Sequence, residues 1–474
     1  MNNIIGRVEE IKLLQHSLKG KDAALIAVYG RRRVGKTYLI HNFFAKQLIF
    51  ELTGMPNGNL KDQLFQFSKA FQKLAGSSLA IRSPASWAEA FDALERQLET
   101  MPKSGKQALF FDEIPWLDTR RSGFLSAFEH FWNTYASRQK HLIIVVCGSA
   151  ASWMIKEVVN SKGGLHHRIT QKIRLLPFTL QETETYLQYR GCRLKRYQIL
   201  EIYMALGGIP QYLNNIQKGE SPAQAIQRIC FTKDGLLTGE FDNLYKALFE
   251  LADNHLKAVR ALAATANGLT RQEIIDKCGI SSGGRASTML EELEASGFVH
   301  SYQPYGKVSK DLIYRLTDEF SLFYLKFMDI RNKQNWKRLS EGLQYRIWCG
   351  MSFESICLKH VEQIKSAIGI KDQNTWEGSW RYIPGKGSNE NGAQIDLLIE
   401  RDDNCINICE IKFYNSQLVI DKKYAKELQQ KIDVFQQKTN AKATLFLTII
   451  TTYGLKENIY GDLVQASVQI DQLF

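Results

Sequence analysis

Three sets of residues in this chain have the types and spacing that chemistry needs. The first is Gly30-Arg31-Arg32-Arg33-Val34-Gly35-Lys36-Thr37, which fits G-x-x-x-x-G-K-[ST], the pattern of a phosphate-binding loop. Backbone N–H groups of such a loop, with the helix N-terminus after it, make an anion site. Glycine lets that backbone close around phosphate oxygens with no Cβ in the way. The expected nucleotide contacts are Gly30, Arg31, Arg32, Arg33, Val34, Gly35, Lys36, Thr37 and Tyr38. Lys36 is placed to reach the β- and γ-phosphates of ATP, and the Thr37 hydroxyl to bind Mg²⁺.

The second set lies about 75 residues further on, where the apolar run Gln107-Ala108-Leu109-Phe110-Phe111 ends in Asp112-Glu113. Asp112 can hold Mg²⁺ through water, and Glu113 can act as general base toward the attacking water. The bland alternative is an acidic strand end in a loop. Ser149 belongs with this set. It follows the apolar run Leu142-Ile143-Ile144-Val145-Val146-Cys147 and Gly148, where a polar group can sense the γ-phosphate, cap the next helix, or do both. Arg168 and Arg174 are each able to stabilise transition-state charge, from this chain or a neighbouring copy, or to form a surface ion pair.

The third set is Asp396, Glu410 and Lys412. Two strands are expected, 394–400 and 405–413, joined by Arg401-Asp402-Asp403-Asn404. Glu410 and Lys412 are two apart and share a face. If the turn holds an odd number of residues, Asp396 lies opposite Glu410. Like charges so placed destabilise a sheet unless something compensates. A second Mg²⁺ or Mn²⁺ held by Asp396 and Glu410 would compensate, with Lys412 orienting or activating water. The alternative is a solvated Asp/Glu/Lys face on a plain hairpin.

The elements that must position these residues read as follows. A strand from Ala23 to Tyr29 leads into the loop and a helix leads out. A second strand covers 48–52, and helices cover 60–75 and 86–100. Residues 179–230 look helical and lid-like, broken at Gly207-Gly208-Ile209-Pro210. Residues 255–318 read as three helices and a hairpin around Gly306, with Thr270 and Glu273 as a capping box. That order resembles a winged helix-turn-helix, in which Arg271, Arg285, Lys307, Lys310 and Arg315 are placed for phosphates. Glu291, Glu292 and Glu294 on the third helix would repel DNA, so a packing joint is an equal alternative. An aromatic helical linker, 320–337, leads to the last region. The fold class is α/β: a P-loop NTPase parallel sheet with a helical lid, a winged helix-turn-helix, and a C-terminal α/β nuclease-like domain. The expected boundaries are 1–250, 251–320 and 321–474.

Ile5-Gly6-Arg7-x-x-Glu10, the loop, Phe111-Asp112-Glu113-Ile114-Pro115-Trp116-Leu117, Gly148-Ser149 and Gly207-Gly208-Ile209-Pro210 occur in that order. Together they resemble the archaeal-type ATPases, a branch of the STAND group among AAA+-like P-loop ATPases. The resemblance implies that Gly208 to Pro210 lie near the nucleotide base and Gly6-Arg7 on the adenine side. It also implies a switch, with slow hydrolysis changing domain arrangement. The Asp…Glu-x-Lys pattern resembles the restriction-endonuclease-like PD-(D/E)-x-K fold, with the first proline absent. There Glu354 matches the frequent additional acid.

Composition narrows the class. The chain has 474 residues and a formal net charge of +12, which favours a polyanion such as double-stranded DNA as partner. Eight scattered cysteines without a C-x-x-C pair fit a reducing compartment and argue against structural zinc. No secretion signal is visible and no apolar run is long enough to span a bilayer, so a cytoplasmic location is expected. The function expected is a Mg²⁺-dependent ATPase controlling a nuclease-like DNA-processing module. The alternative is a non-nucleolytic ATP-dependent switch or DNA-binding regulator. A homo-oligomer is compatible with either.

Overall fold

The structure, a computed structural model, describes residues 4–161, 163–165, 167–249, 252–265, 267–307, 311–329, 335–385, 387 and 390–474. Lys310, one of the expected phosphate contacts, lies outside the described residues. The chain divides into two compact units. One holds Met1–Pro177, Lys246–Glu250 and Glu291–Gly297; the other holds Phe178–Tyr245, Leu251–Leu290 and Phe298–Phe474. Among the described residues no helix is long and apolar enough to cross a membrane.

The first unit is built on five strands: β1 (Ala24–Tyr29), β2 (Leu48–Thr53), β3 (Gln107–Asp112), β4 (Leu142–Gly148) and β5 (Gln171–Arg174). They pair in parallel in the order β2-β3-β4-β1-β5. β4 is buried at every position, as a central strand covered on both faces must be. Helices Leu60–Leu74 and Trp87–Thr100 start at side-chain caps, Asn59 and Ser86, close to the limits their apolar periodicity predicts. With helix Phe124–Thr134 they bury Phe67, Trp87, Phe91, Phe124, Phe128 and Phe131 against Phe50 and Phe111 of the sheet. Each such ring adds about 1.5–3 kcal/mol of burial free energy, so the sheet is a rigid platform. Its parallel strands leave the loops after β1, β3 and β4 at one edge, where ligands of open α/β sheets bind.

The second unit begins with helices Leu180–Tyr189 and Arg196–Leu206. Gly208 is fixed by close backbone approach. Its carbonyl accepts from Phe178 N–H at 2.6 Å, and a Cβ there would stand 1.9 Å from the Phe178 carbonyl oxygen. Pro210 opens the short helix Pro210–Leu213 that follows. A small antiparallel sheet joins β6 (Leu269–Thr270), β7 (Val299–Tyr302) and β8 (Ile313–Leu316) in the order β6-β8-β7. The capping box is present: Thr270 accepts from Glu273 N–H, and Glu273 from Thr270 N–H.

The last part of the unit is a mixed sheet of β9 (Thr375–Tyr382), β10 (Ala393–Arg401), β11 (Cys405–Lys412), β12 (Thr444–Thr451) and β13 (Ala466–Gln469). Its order is β13-β12-β11-β10-β9. β9, β10 and β11 run antiparallel, and β12 and β13 lie parallel to β11. Helix Lys422–Thr439 connects β11 to β12, as a parallel crossover requires. β9 and β13 go beyond the strands that the sequence pattern predicts.

Candidate functional site

The phosphate loop leaves β1 at Tyr29 and enters helix Lys36–Phe43 at Gly35, whose φ is 91°. Gly30 is required by packing as well as by phosphate. At φ 146° a Cβ would stand 2.2 Å from the Leu175 carbonyl oxygen. Lys36 is 5 % exposed, and its ammonium donates to the carbonyls of Gly30 (2.8 Å) and Arg31 (3.0 Å) and to Ser149 Oγ (3.0 Å). All three donors of a buried ammonium are thereby satisfied. The Thr37 hydroxyl donates to Asp112 Oδ2 at 2.8 Å. A hydroxyl and a buried carboxylate at the rim of an N–H-lined loop fit a hard, oxygen-seeking cation beside phosphate, so Thr37 and Asp112 would hold Mg²⁺.

Glu113 turns out of β3 in a left-handed conformation, φ 47° and ψ 48°. For a non-glycine residue this costs on the order of 1–3 kcal/mol, and it swings the carboxylate toward the end of β4. Because β4 lies between β1 and β3, Ser149 falls between Lys36 and Glu113. Its backbone N–H donates to Glu113 Oε2 at 3.0 Å and its hydroxyl donates to Oε1. The result is a continuous chain from ammonium to hydroxyl to carboxylate.

The arginines divide. Arg31 is 1 % exposed, Arg32 lies over the Trp116 ring at 5.1 Å, and Arg33 takes a left-handed turn, φ 72°. Trp116 is a partner that the motifs alone do not reveal. Arg7 is buried and donates to the carbonyls of Val34 (3.1 Å) and Leu176 (2.7 Å), tying the N-terminal segment to the loop. Arg174 donates to the carbonyls of Glu294 (2.6 Å) and Ala295 (3.1 Å) at a helix end. Its guanidinium is therefore engaged as a C-terminal cap, a contact that neither of its two expected roles includes. Arg168 sits in a turn, its N–H bonded to the Leu165 carbonyl. Tyr38 is exposed on the first turn of the loop helix.

Residues 4–216 match the family described as an ATPase domain predominantly from Archaea. That match takes in the phosphate loop, Asp112, Glu113 and Ser149. An uncharacterised protein of Methanocaldococcus jannaschii is 22% identical over 412 residues, 84% of this chain and 85% of that protein. The Walker-type ATPase of Pyrococcus abyssi has the same fold, with TM-score 0.50 and 21% identity over 68% of this chain and 96% of its own. The ORC2 protein of Aeropyrum pernix, solved in ADPNP–ADP complexes, aligns at TM-score 0.41 and 15% identity over 68% of this chain and 94% of its own.

Beyond the ATPase domain, β10 and β11 pair Leu397 with Cys409 and Glu400 with Ile406. That register, continued by one residue, sets Asp396 across from Glu410, as an odd-numbered turn predicts. Asp396 Oδ2 accepts from Ile411 N–H at 3.2 Å. Burial, and then the charges of Glu410 and Glu354, push its carboxyl up to about 7. The compensating charge differs from the expected divalent ion. Glu410 is 3 % exposed and is paired with Lys412 (2.6 Å) and with Lys431, which reaches both its oxygens (2.9 and 2.7 Å). Burial alone would lower Lys412, but Glu410 and Asp396 outweigh it and raise it. Glu354, the additional acid, is taken by Arg315 at 2.9 Å. Among the described residues no group of three or more His, Cys, Asp or Glu is arranged to hold a metal ion. Two ammonium groups thus stand where Asp396 and Glu410 were expected to share a cation, and as arranged the pair does not fit one. Lys431 escapes motif reading, yet a signal exists: it lies three residues after Leu428 and four before Phe435, both buried, on the inner stripe of its helix.

Proposed function

We propose that this protein is an ATP-dependent switch in which Mg²⁺·ATP binding and hydrolysis at the N-terminal site set the state of a C-terminal nuclease-like module. The observation that carries the reading is the chain Lys36–Ser149–Glu113. Lys36 and Glu113 share one hydroxyl, so a phosphate that draws the ammonium away changes what holds the base. Mg²⁺, when bound, neutralises the phosphate oxygens. Lys36 and the loop N–H groups then orient the phosphates, and Glu113 takes the proton of the attacking water. Arg168, and Arg174 once released from its carbonyls, are the candidates for transition-state charge, here or from a second copy. Pro210 is the candidate contact to the base.

In this reading residues 1–250 are the ATPase domain with its lid, 251–320 a winged helix, and 321–474 a linker and nuclease-like domain. The helix-rich middle with its small antiparallel sheet and the net charge of +12 support double-stranded DNA as the partner. Eight free cysteines support a cytoplasmic setting. DNA processing by the C-terminal module is supported by the shared face of Asp396, Glu410 and Lys412. The non-nucleolytic alternative is favoured by the lysines that occupy Glu410.

One experiment separates these. ATP hydrolysis is measured with and without duplex DNA for the wild type, Lys36→Ala and Glu113→Gln, and DNA integrity is followed in Mg²⁺ or Mn²⁺ for the wild type, Asp396→Ala and Lys412→Ala. Hydrolysis that persists in Lys36→Ala rejects the switch. Cleavage that needs Asp396 and Lys412 makes the module a nuclease, whereas intact DNA beside nucleotide-dependent DNA binding makes it a regulator.

A further inference from the structure

One buried carboxylate, Glu410, one half-buried carboxyl, Asp396, and two ammonium groups carry formal charges that cancel. Asp396 and Glu410 supply the negative charge, Lys412 and Lys431 the positive. Lys412 comes from the same strand as Glu410, and its place follows from the two-residue period of a strand. Lys431 comes from elsewhere, on helix Lys422–Thr439. Leu428 and Phe435 on either side of it are 1 % and 0 % exposed, so the packing of the helix directs this side chain at the sheet. Tyr424, two turns earlier on the same face, is half-buried, with its hydroxyl beside Glu410. The Lys431 side chain is 29 % exposed and bonds both Glu410 oxygens. It is held, yet it has a way out to water.

We propose that Lys431 is an internal guard cation, occupying the position at Glu410 that a divalent metal ion would need and keeping the Asp396–Glu410 pair closed to metal until its side chain swings out. The proposal rests on the nuclease-like reading of this cluster. Its physical basis is competition. A divalent ion arriving with both lysines in place would give the half-buried cluster two excess formal positive charges, and the two ammonium groups would repel it. Exchange of Lys431 for the ion leaves only one. A lysine suits this role because its flexible stem carries a compact charge that water solvates well once outside.

The test is Mn²⁺ binding to the full-length protein without nucleotide, followed by the electron paramagnetic resonance of free Mn²⁺. Asp396→Asn serves as the blank that removes the C-terminal contribution. Lys431→Met is expected to bind Mn²⁺ about tenfold tighter or more than the wild type, and Lys431→Arg to remain as weak as the wild type. Lys431→Gln, which keeps a polar stem of similar length, replaces Lys431→Met if thermal melting shows that variant unfolded. Binding that Asp396→Asn abolishes but that removing Lys431 leaves no tighter overturns the guard and keeps the metal site. Absence of Asp396-dependent binding in every variant overturns both the guard and the metal-dependent nuclease reading.

Discussion

Ser149 holds the Glu113 carboxylate by both its backbone N–H and its hydroxyl, while the same hydroxyl oxygen accepts from Lys36. Ser149→Ala leaves the backbone bond and deletes the hydroxyl link. A hydrogen bond to a charged group is worth about 1.5–3 kcal/mol, so kcat for ATP hydrolysis is expected to fall roughly 10- to 100-fold. Nucleotide affinity, carried by the loop, is expected to change far less. Equal losses in binding and turnover would remove Ser149 from the catalytic chain.

Glu113→Gln keeps the size of the side chain and removes its basicity. Turnover is expected to drop by about 10²–10⁴-fold with ATP still bound. Lys36→Ala is expected to lose binding itself, because the ammonium that meets the β- and γ-phosphates is gone. Fluorescent-nucleotide titration beside phosphate release distinguishes the two. Normal turnover in Glu113→Gln would exclude it as the base.

Gly30 and Gly35 both have positive φ, but only Gly30 faces a backbone atom. A methyl added at Gly30 would stand 2.2 Å from the Leu175 carbonyl oxygen, whereas one added at Gly35 would meet open space within 4 Å. Gly30→Ala is therefore expected to lower stability by more than about 2 kcal/mol, and Gly35→Ala by roughly 1 kcal/mol from backbone strain alone. Thermal melting ranks them, and equal shifts would mean that the chain just after β5 yields readily at Leu175.

His360 gives the second unit a pH-sensitive element. Its Nε2 accepts from Leu180 N–H at 3.2 Å and its Nδ1–H donates to the Ile356 carbonyl at 2.8 Å. Burial, with Lys359 adding to it, lowers its pKa to about 4, against the opposing bond to Ile356. The folded value is below the unfolded one, so the folded state takes up fewer protons. Stability from this group is complete above about pH 6.5 and is lost as pH falls toward 4, by about 3 kcal/mol in all. Urea titrations from pH 7 to 4.5 are expected to show that acid limb in the wild type and a flatter one in His360→Gln. Parallel limbs would mean that other groups set the acid response.

Much of the ATPase site is legible in the order of residues because each part is local. The loop is eight consecutive residues, Asp112 and Glu113 close an apolar run, and Ser149 closes another. What the pattern does not contain is the strand order. That β4 intervenes between β1 and β3 is a matter of topology, and it is this order that brings Ser149 to both Lys36 and Glu113. The register of Asp396 against Glu410 hangs on an odd turn, and the four residues Arg401 to Asn404 read as the turn are even in number; in the structure β10 takes in Arg401 and leaves three. The second lysine on Glu410 escapes the pattern altogether, since Lys431 is 21 residues away on a helix rich in charge. β9 and β13 escape the sequence pattern for a related reason. β9 mixes Trp, Glu, Gly, Ser and Arg along its length, and its place at the edge of the sheet lets it stay half-exposed.

The first unit is not one continuous stretch of chain. It takes back Glu291–Gly297 long after Pro177, and two of those returning residues supply the carbonyls that Arg174 caps. A fragment ending at Pro177 would retain every phosphate-loop residue and leave that guanidinium without its acceptors. The phosphate loop is thus spelled by one short segment, whereas the acceptors that hold Arg174 arrive only when the polypeptide returns more than a hundred residues later.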